Sequence, residues 1–115
     1  MSAVLPGMKA RNTGCILAIG ARTAVEPVTT LGAYSASKAA LVSLVRTIAA
    51  ENKKFGITAN IILPGTMDTP ANRAAMPSAN FSTWVLPRNV ADILVHLVMN
   101  RAITGARIPV YGREA

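Results

Sequence analysis

Apolar residues along the chain alternate between short runs typical of strands and longer stretches with helical spacing. Residues 15–19 are almost wholly apolar and lie between two glycines, which predicts a strand buried on both faces of a parallel sheet. Residues 57–63 are rich in β-branched side chains and predict a second strand, which Pro64 and Gly65 end abruptly. A third strand is predicted at residues 106–111.

Two longer segments have the spacing of amphipathic helices. Residues 32–52 are expected to turn one apolar face toward the sheet, formed by Leu41, Leu44, Val45 and Ile48. A second stripe on this helix consists of small side chains, Ala36, Ala40, Ser43 and Thr47, which would let a second helix approach closely. Another helix is predicted from Pro87 to about residue 101, with a buried face formed by Val90, Leu94, Leu97 and Val98. A short one is predicted to begin at Pro70, with Thr69 as its N-cap.

Strands and helices therefore alternate along the chain, and this alternation predicts the fold class. Strand, helix, strand, helix, strand is the order of an α/β fold with a parallel sheet and flanking helices. We expect about three parallel strands in a single domain spanning residues 1–115.

Composition limits what such a chain can be. The 115 residues are 51% hydrophobic and 15% charged, which allows one modest core, and the mean hydropathy of +0.38 suggests apolar surface that meets a partner. No apolar run reaches the roughly 18 residues that span a bilayer, and residues 1–11 have the wrong order of features for a signal peptide. We expect a cytoplasmic protein without a membrane partner, in which Cys15, the single cysteine, belongs to the core.

The formal charge of +7 raises the question of an anionic partner. The twelve Lys and Arg residues form no run, and aromatic residues are 4% of the chain, so stacking on nucleic-acid bases has little support. Solvated surface charge is the expected explanation, with no nucleic-acid partner. Asp68 and Asp92 lack the ligand cluster that a metal site needs.

Tyr34 and Lys38 are the candidate catalytic residues. They are four positions apart at the start of the helix at residues 32–52, so they share a face. An ammonium group beside a phenol favours the phenolate, which prepares the tyrosine to exchange a proton with a carbonyl, imine or alcohol. This spacing alone arises often by chance.

The surrounding motifs resemble the C-terminal, catalytic half of the short-chain dehydrogenase/reductase family. An apolar strand precedes the sequence Tyr-Ser-Ala-Ser-Lys, and a strand ending in Asn-Ile-Ile-Leu-Pro-Gly follows it. The resemblance covers nearly the whole chain and implies a partial Rossmann-like fold. It implies that Tyr34 is the proton donor or acceptor and that Lys38 activates it and orients the nicotinamide ribose. It also implies that Pro64, Gly65, Thr66 and Thr69 bind the nicotinamide and pyrophosphate part of NAD or NADP.

Within the family, residues 63–73, together with the later segment containing Phe81 and Trp84, are similar to quinoid dihydropteridine reductases. That similarity favours an origin in this branch and a small-molecule substrate. Phe81 and Trp84 are predicted either to cover the mouth of the site or to anchor a loop to the core.

Two departures from the family pattern bear on present activity. The family usually has a serine about thirteen residues before the tyrosine, where this chain has Ala21, and only Thr23 nearby offers a replacement hydroxyl. A missing donor of this kind costs about 3 kcal/mol of transition-state stabilisation. The sequence also holds no glycine-rich turn after a first strand, so the nucleotide-binding half is expected to be missing and binding of the dinucleotide to be crippled.

Two alternatives belong to other functional classes. One is a self-associating interaction module, a homo-oligomer that buries the exposed sheet edge and the small-residue stripe against another copy. The other is ester hydrolysis by Ser35 near Lys38, a loose match to a serine-lysine pair.

Overall fold

The computed structural model describes residues 3–22 and 32–114, and within them three parallel strands form one sheet. The strands are β1 (Gly14–Ile19), β2 (Ile57–Pro64) and β3 (Arg107–Val110), in the order β1-β2-β3. The helices are α1 (Leu5–Arg11), α2 (Gly32–Asn52), α3 (Pro70–Ala75) and α4 (Pro87–Met99), with short 3-10 turns at Lys53–Phe55 and Phe81–Thr83. This confirms the predicted α/β class and the order of its elements.

The register of the sheet defines two edges that matter for function. Gly14 pairs with Ile57 at the start of β1 and β2, and Pro64 pairs with Val110 at the end of β2 and β3. Because all pairings are parallel, the carboxyl ends of the strands lie together at one end of the sheet, which we call the carboxyl edge. The opposite edge, where β1 and β2 begin, is called the amino edge.

β2 is the centre of the hydrophobic core because helices cover both of its faces. All eight of its residues are buried. One face packs against α2, where Val45 and Ile48 contact a cluster that includes Ile61. The other face packs against α4 through Ile62 and Leu97. The core thus fixes the starts of both helices relative to the carboxyl edge.

β1 differs from its prediction. It was expected to be buried on both faces, but its residues are only half-buried and Ile19 is 45% exposed. β1 is an edge strand, since in the described part of the chain no strand pairs with its outer side. A half-covered edge of this kind leaves backbone donors and acceptors available to another strand.

The buried face of α2 also differs from its prediction. Val42, Val45, Ile48, Ala49 and Asn52 are buried, whereas Leu44 is 49% exposed. The expected face was wrong at Leu44 because apolar residues surround this helix on several sides, so that their spacing alone does not select one side. The small-residue stripe is exposed, and no second helix covers it among residues 3–22 and 32–114.

α4 buries a narrower face than predicted. Val90 and Leu97 are buried and Leu94 is packed beside them, but Val98 is 48% exposed. Within the described ranges, no helix combines the length and the hydropathy required to cross a lipid bilayer.

Candidate active site

Tyr34 and Lys38 meet on the first turns of α2, as their spacing predicted. The Lys38 ammonium nitrogen lies 5.5 Å from the centroid of the Tyr34 ring, within range of a cation–π contact. Tyr34 is 47% exposed, and its hydroxyl forms no hydrogen bond with any described residue. α2 runs back along β2 from the carboxyl edge, so the pair lies at that edge with a phenol open to a ligand.

The hydroxyl groups of the two serines that follow Tyr34 differ in their hydrogen bonding. Ser37 donates its hydroxyl hydrogen to the carbonyl oxygen of Tyr34 at 2.8 Å, a bond that belongs to the helix itself. The Ser35 hydroxyl is shielded from solvent and has no hydrogen-bond partner in the described residues. A shielded oxygen is poorly placed to attack an ester, so the geometry does not favour the hydrolytic alternative.

Pro64 is the last residue of β2 and Gly65 follows it, so both lie at the carboxyl edge, close to the chain that follows β3. The Gly65 N–H donates to the carbonyl oxygen of Val110 at 2.9 Å. A Cβ atom on Gly65 would lie 3.0 Å from the carbonyl oxygen of Tyr111 and 3.1 Å from a carboxylate oxygen of Glu114. A side chain at position 65 would therefore press against the C-terminal segment.

Thr66 follows this turn, and its polar groups already have partners inside the chain. Its N–H donates to Glu114 Oε1 at 2.8 Å and its hydroxyl donates to Oε2 at 3.1 Å. Its carbonyl oxygen accepts from the N–H of Val85 at 2.9 Å. For Thr66 to donate to a cofactor, Glu114 would have to leave. No local pattern points to Glu114, because it lies 48 positions away from Thr66 along the chain.

Thr69 caps α3, as predicted. Its hydroxyl oxygen accepts from the N–H of Asn72 at 3.1 Å, and Pro70 occupies the first helical turn. The hydroxyl hydrogen of Thr69 remains able to donate to a ligand. Asn72 also donates its side-chain amide to the carbonyl oxygen of Met67 at 2.8 Å, which fixes the path from the turn to the helix.

A bidentate ion pair stabilises the same segment, between residues 68 and 73. Arg73 donates to the two carboxylate oxygens of Asp68 at 2.6 and 2.9 Å. These hydrogen bonds, and to a smaller extent the positive charge of the guanidinium, hold the pKa of Asp68 below its usual value. Asp68 is thereby committed to Arg73.

Phe81 and Trp84 form the aromatic part of this region. Trp84 is 7% exposed, its ring centroid lies 4.8 Å from that of Phe81, and the Arg73 guanidinium lies 4.5 Å from the Phe81 centroid. Of the two predicted roles, the burial of Trp84 favours the anchor. The loop after α3 is thus pinned to the core and to the Asp68–Arg73 pair.

Ala21 stands at the position where the family usually has a serine, directly after β1. Its neighbour Gly20 donates its N–H to the carbonyl oxygen of Ile62 at 2.7 Å, which extends the β1–β2 pairing to the carboxyl edge. Arg22 places its guanidinium 4.6 Å from the centroid of Tyr111. Thr23, the candidate replacement for the missing serine, lies outside the described residues.

The donors at the carboxyl edge fit one half of a nicotinamide dinucleotide. The hydroxyls of Tyr34 and Thr69 and the ammonium of Lys38 are chemically able to hydrogen-bond to hydroxyl and carboxamide groups. The Thr66 donors are occupied by Glu114. The described residues contain no group of three or more metal-ligating side chains.

Comparison with known proteins identifies the class. The family model described as short chain dehydrogenase matches residues 1–80. The chain belongs to this family of oxidoreductases.

Particular relatives agree with this assignment. A dihydropteridine reductase of Dictyostelium discoideum is 38% identical over 91 residues, covering 76% of this chain and 39% of the relative. A vibriobactin-specific 2,3-dihydro-2,3-dihydroxybenzoate dehydrogenase of Vibrio cholerae is 32% identical over 108 residues, covering 94% of this chain and 41% of the relative. The chain therefore spans less than half the length of these curated relatives.

A solved structure supports the fold. That of 4-hydroxyisoleucine dehydrogenase complexed with NADH superposes with a TM-score of 0.82 at 30% identity, covering 96% of this chain and 51% of that one. The resemblance stated from the sequence is thereby confirmed at the level of family and fold.

Proposed function

We propose that this chain supplies the proton-transfer half of an NAD(P)-dependent oxidoreductase acting on a small carbonyl or imine compound. The observation that carries the proposal is the Lys38 ammonium 5.5 Å from the ring centroid of an exposed Tyr34, at the carboxyl edge of a parallel sheet. Ligands of open α/β sheets bind outside the carboxyl ends of the strands. Relatives support the cofactor, since one similar dehydrogenase was solved with NADH bound.

The chemistry follows from the free phenol and its cationic neighbour. When bound, NADH or NADPH supplies a hydride to the substrate carbon. Tyr34 donates its phenolic proton to the carbonyl oxygen or imine nitrogen, which completes the alcohol or amine. The Lys38 charge stabilises the phenolate left on Tyr34, and the same ammonium is placed to hold ribose hydroxyls. The reverse reaction returns the proton to Tyr34.

Ala21 weakens this arrangement because a methyl group cannot hydrogen-bond to the substrate oxygen. Losing one preorganised donor lowers the rate about a hundredfold or more. We infer slow chemistry compared with relatives that carry a serine at this position.

A fusion experiment tests these roles. The chain would be joined to the N-terminal half of the Dictyostelium discoideum dihydropteridine reductase, and NADH oxidation would be followed with quinonoid dihydropterin as substrate. Tyr34→Phe should lower the rate of the fusion by about 100-fold or more. Ala21→Ser should raise the rate, since it restores a donor. A fusion whose rate is unchanged by Tyr34→Phe would contradict the proposed role of the tyrosine.

We further propose that the 115-residue chain alone binds the dinucleotide only weakly. The described residues offer donors to the nicotinamide ribose but no backbone cradle for a pyrophosphate, and Glu114 holds the donors of Thr66. Isothermal titration with NADH and NADPH should show dissociation constants on the order of 1 mM or weaker. Micromolar binding would defeat this part of the proposal.

A second candidate function, self-association, is favoured by the apolar surface that the fold leaves open. Ile19 on the edge strand is 45% exposed, and Val95 and Met99 on α4 are 63% and 79% exposed. Ile19→Lys places a charge on the β1 edge and should shift a dimer toward monomer in sedimentation velocity. Met76→Lys, at an apolar residue of similar exposure (41%) at the C-terminal end of α3, is the matched control. A wild-type chain that stays monomeric at micromolar concentration would remove this candidate.

A further inference from the structure

The fold brings together several cationic side chains that are far apart in the sequence. They meet at the amino edge of the sheet. The ammonium nitrogens of Lys9 and Lys54 lie 5.2 and 5.3 Å from the centroid of the same Phe55 ring. Arg101 donates to the carbonyl oxygens of Gly14 and Gly56, directly at this edge. The helices run back from the carboxyl edge, so their basic C-terminal residues converge where the strands begin.

Beside this group lies a hollow of about 220 Å³ with two further cations in its wall. It is lined by Arg46, Ala49, Ala50, Lys53, Thr104 and Gly105. In residues 3–22 and 32–114, neither the side chain of Arg46 nor that of Lys53 forms a hydrogen bond or an ion pair. A water molecule takes up about 30 Å³ in the liquid, so the hollow has room for a tetrahedral anion.

One neutral donor lines the same hollow as the two cations. Thr104 accepts the N–H of Ala59 at 3.1 Å, so its own hydroxyl hydrogen is free to be donated. The N–H of Gly105 is bound to the carbonyl oxygen of Ala59 at 2.8 Å and therefore holds the wall of the hollow in place. A guanidinium, an ammonium and a hydroxyl around one cavity are the donors that phosphate oxygens accept from.

We propose that this hollow binds the phosphate group of a small anionic ligand. Lys53 shares the amino edge with Lys54, Lys9 and Arg101, and a dianion placed between the cations relieves their mutual repulsion. The site is separate from the catalytic pair, since Arg46 lies about 18 Å from Tyr34 along α2 at 1.5 Å per residue. It therefore does not depend on the proposed oxidoreductase function.

The test is a titration of the ¹⁵N-labelled chain with inorganic phosphate, with ionic strength held constant by chloride. Saturable shifts are expected at the amides of Ala49, Ala50, Thr104 and Gly105, with a dissociation constant on the order of 1 mM. Arg46→Gln and Lys53→Gln should each weaken binding about tenfold, because each removes one charge-assisted hydrogen bond. Both side chains are on the surface, and circular dichroism would verify that the variants keep their fold.

Arg88→Gln is the matched control, since it removes the same charge from an exposed residue at the start of α4, far from the hollow. Its dissociation constant should stay within about twofold of the wild type, because exposed charges beyond a Debye length are screened. Equal weakening by Arg88→Gln would mean general attraction to a basic protein and would overturn the proposal. So would the absence of saturable shifts, or their spread over the whole molecule.

Discussion

The contact between Glu114 and Thr66 ties the C-terminal segment to the turn that precedes the candidate site, and Glu114→Ala would remove it. Two donors, the N–H and the hydroxyl of Thr66, lose their acceptor at once. Hydrogen bonds to charged groups contribute roughly 1.5–3 kcal/mol each when shielded. Glu114 is only partly buried, and we therefore expect a total loss of about 1–2 kcal/mol.

Hydrogen exchange measured residue by residue resolves this effect. The Thr66 amide of Glu114→Ala should exchange about tenfold faster than in the wild type, whereas amides in the middle of β2 should change less. Glu114→Gln keeps one acceptor oxygen and should fall between the two. Glu51→Ala, an exposed carboxylate on α2, is the control that leaves Thr66 unchanged. Equal exchange rates at Thr66 in wild type and Glu114→Ala would show that Glu114 does not protect this amide.

Two further predictions concern stability. The pKa of Asp68 is lowered by Arg73, so the pair stabilises the fold fully above the usual aspartate value of 3.8 and loses this effect as the pH falls below it. The urea midpoint of Asp68→Asn should therefore fall less steeply at acid pH than that of the wild type. An equally steep fall in both would contradict a stabilising Asp68–Arg73 pair. Leu97→Ala removes a side chain that is 1% exposed and should cost roughly 2–5 kcal/mol in urea denaturation, whereas Val98→Ala, 48% exposed in the wild type, should cost far less.

The order and approximate bounds of the elements were predictable because local signals mark them. Pro64-Gly65 ends β2, Thr69 and Pro70 start α3, and α2 begins and ends at the predicted Gly32 and Asn52. Such signals depend on residues adjacent in sequence, which is why they survive without tertiary information.

Burial was less predictable, and tertiary structure explains each difference. The β1 run has the composition of a covered strand but lies at an edge, where half of its surface stays open. The sheet contacts Val45 and Ile48, as predicted, but the buried face of α2 extends to Val42 and not to Leu44. The spacing of apolar residues shows that a helix or strand has an apolar face. Which residues of that face become buried depends on the element that packs against it.

The candidate site, too, could be predicted from the sequence only where its residues are close together along the chain. Tyr34 and Lys38 were predictable because residues four apart on a helix share a face. The contact between Glu114 and Thr66 was not predictable, and neither was the hollow between Arg46 and Thr104. The residues that form each of them are far apart in the sequence. The same holds for the cations at the amino edge, which looked scattered until parallel strands aligned the ends of three helices.

We propose that Tyr34 and Lys38 form the nicotinamide-facing part of a cofactor site. The most direct measurement is a titration with reduced nicotinamide mononucleotide, which lacks the adenosine half, followed by amide shifts. Saturable shifts are expected at the amides of Tyr34, Lys38 and Thr69. Binding should be weakened by Lys38→Met and unaffected by Lys54→Met at the amino edge. Shifts absent from the start of α2, or equally weakened by both variants, would contradict it.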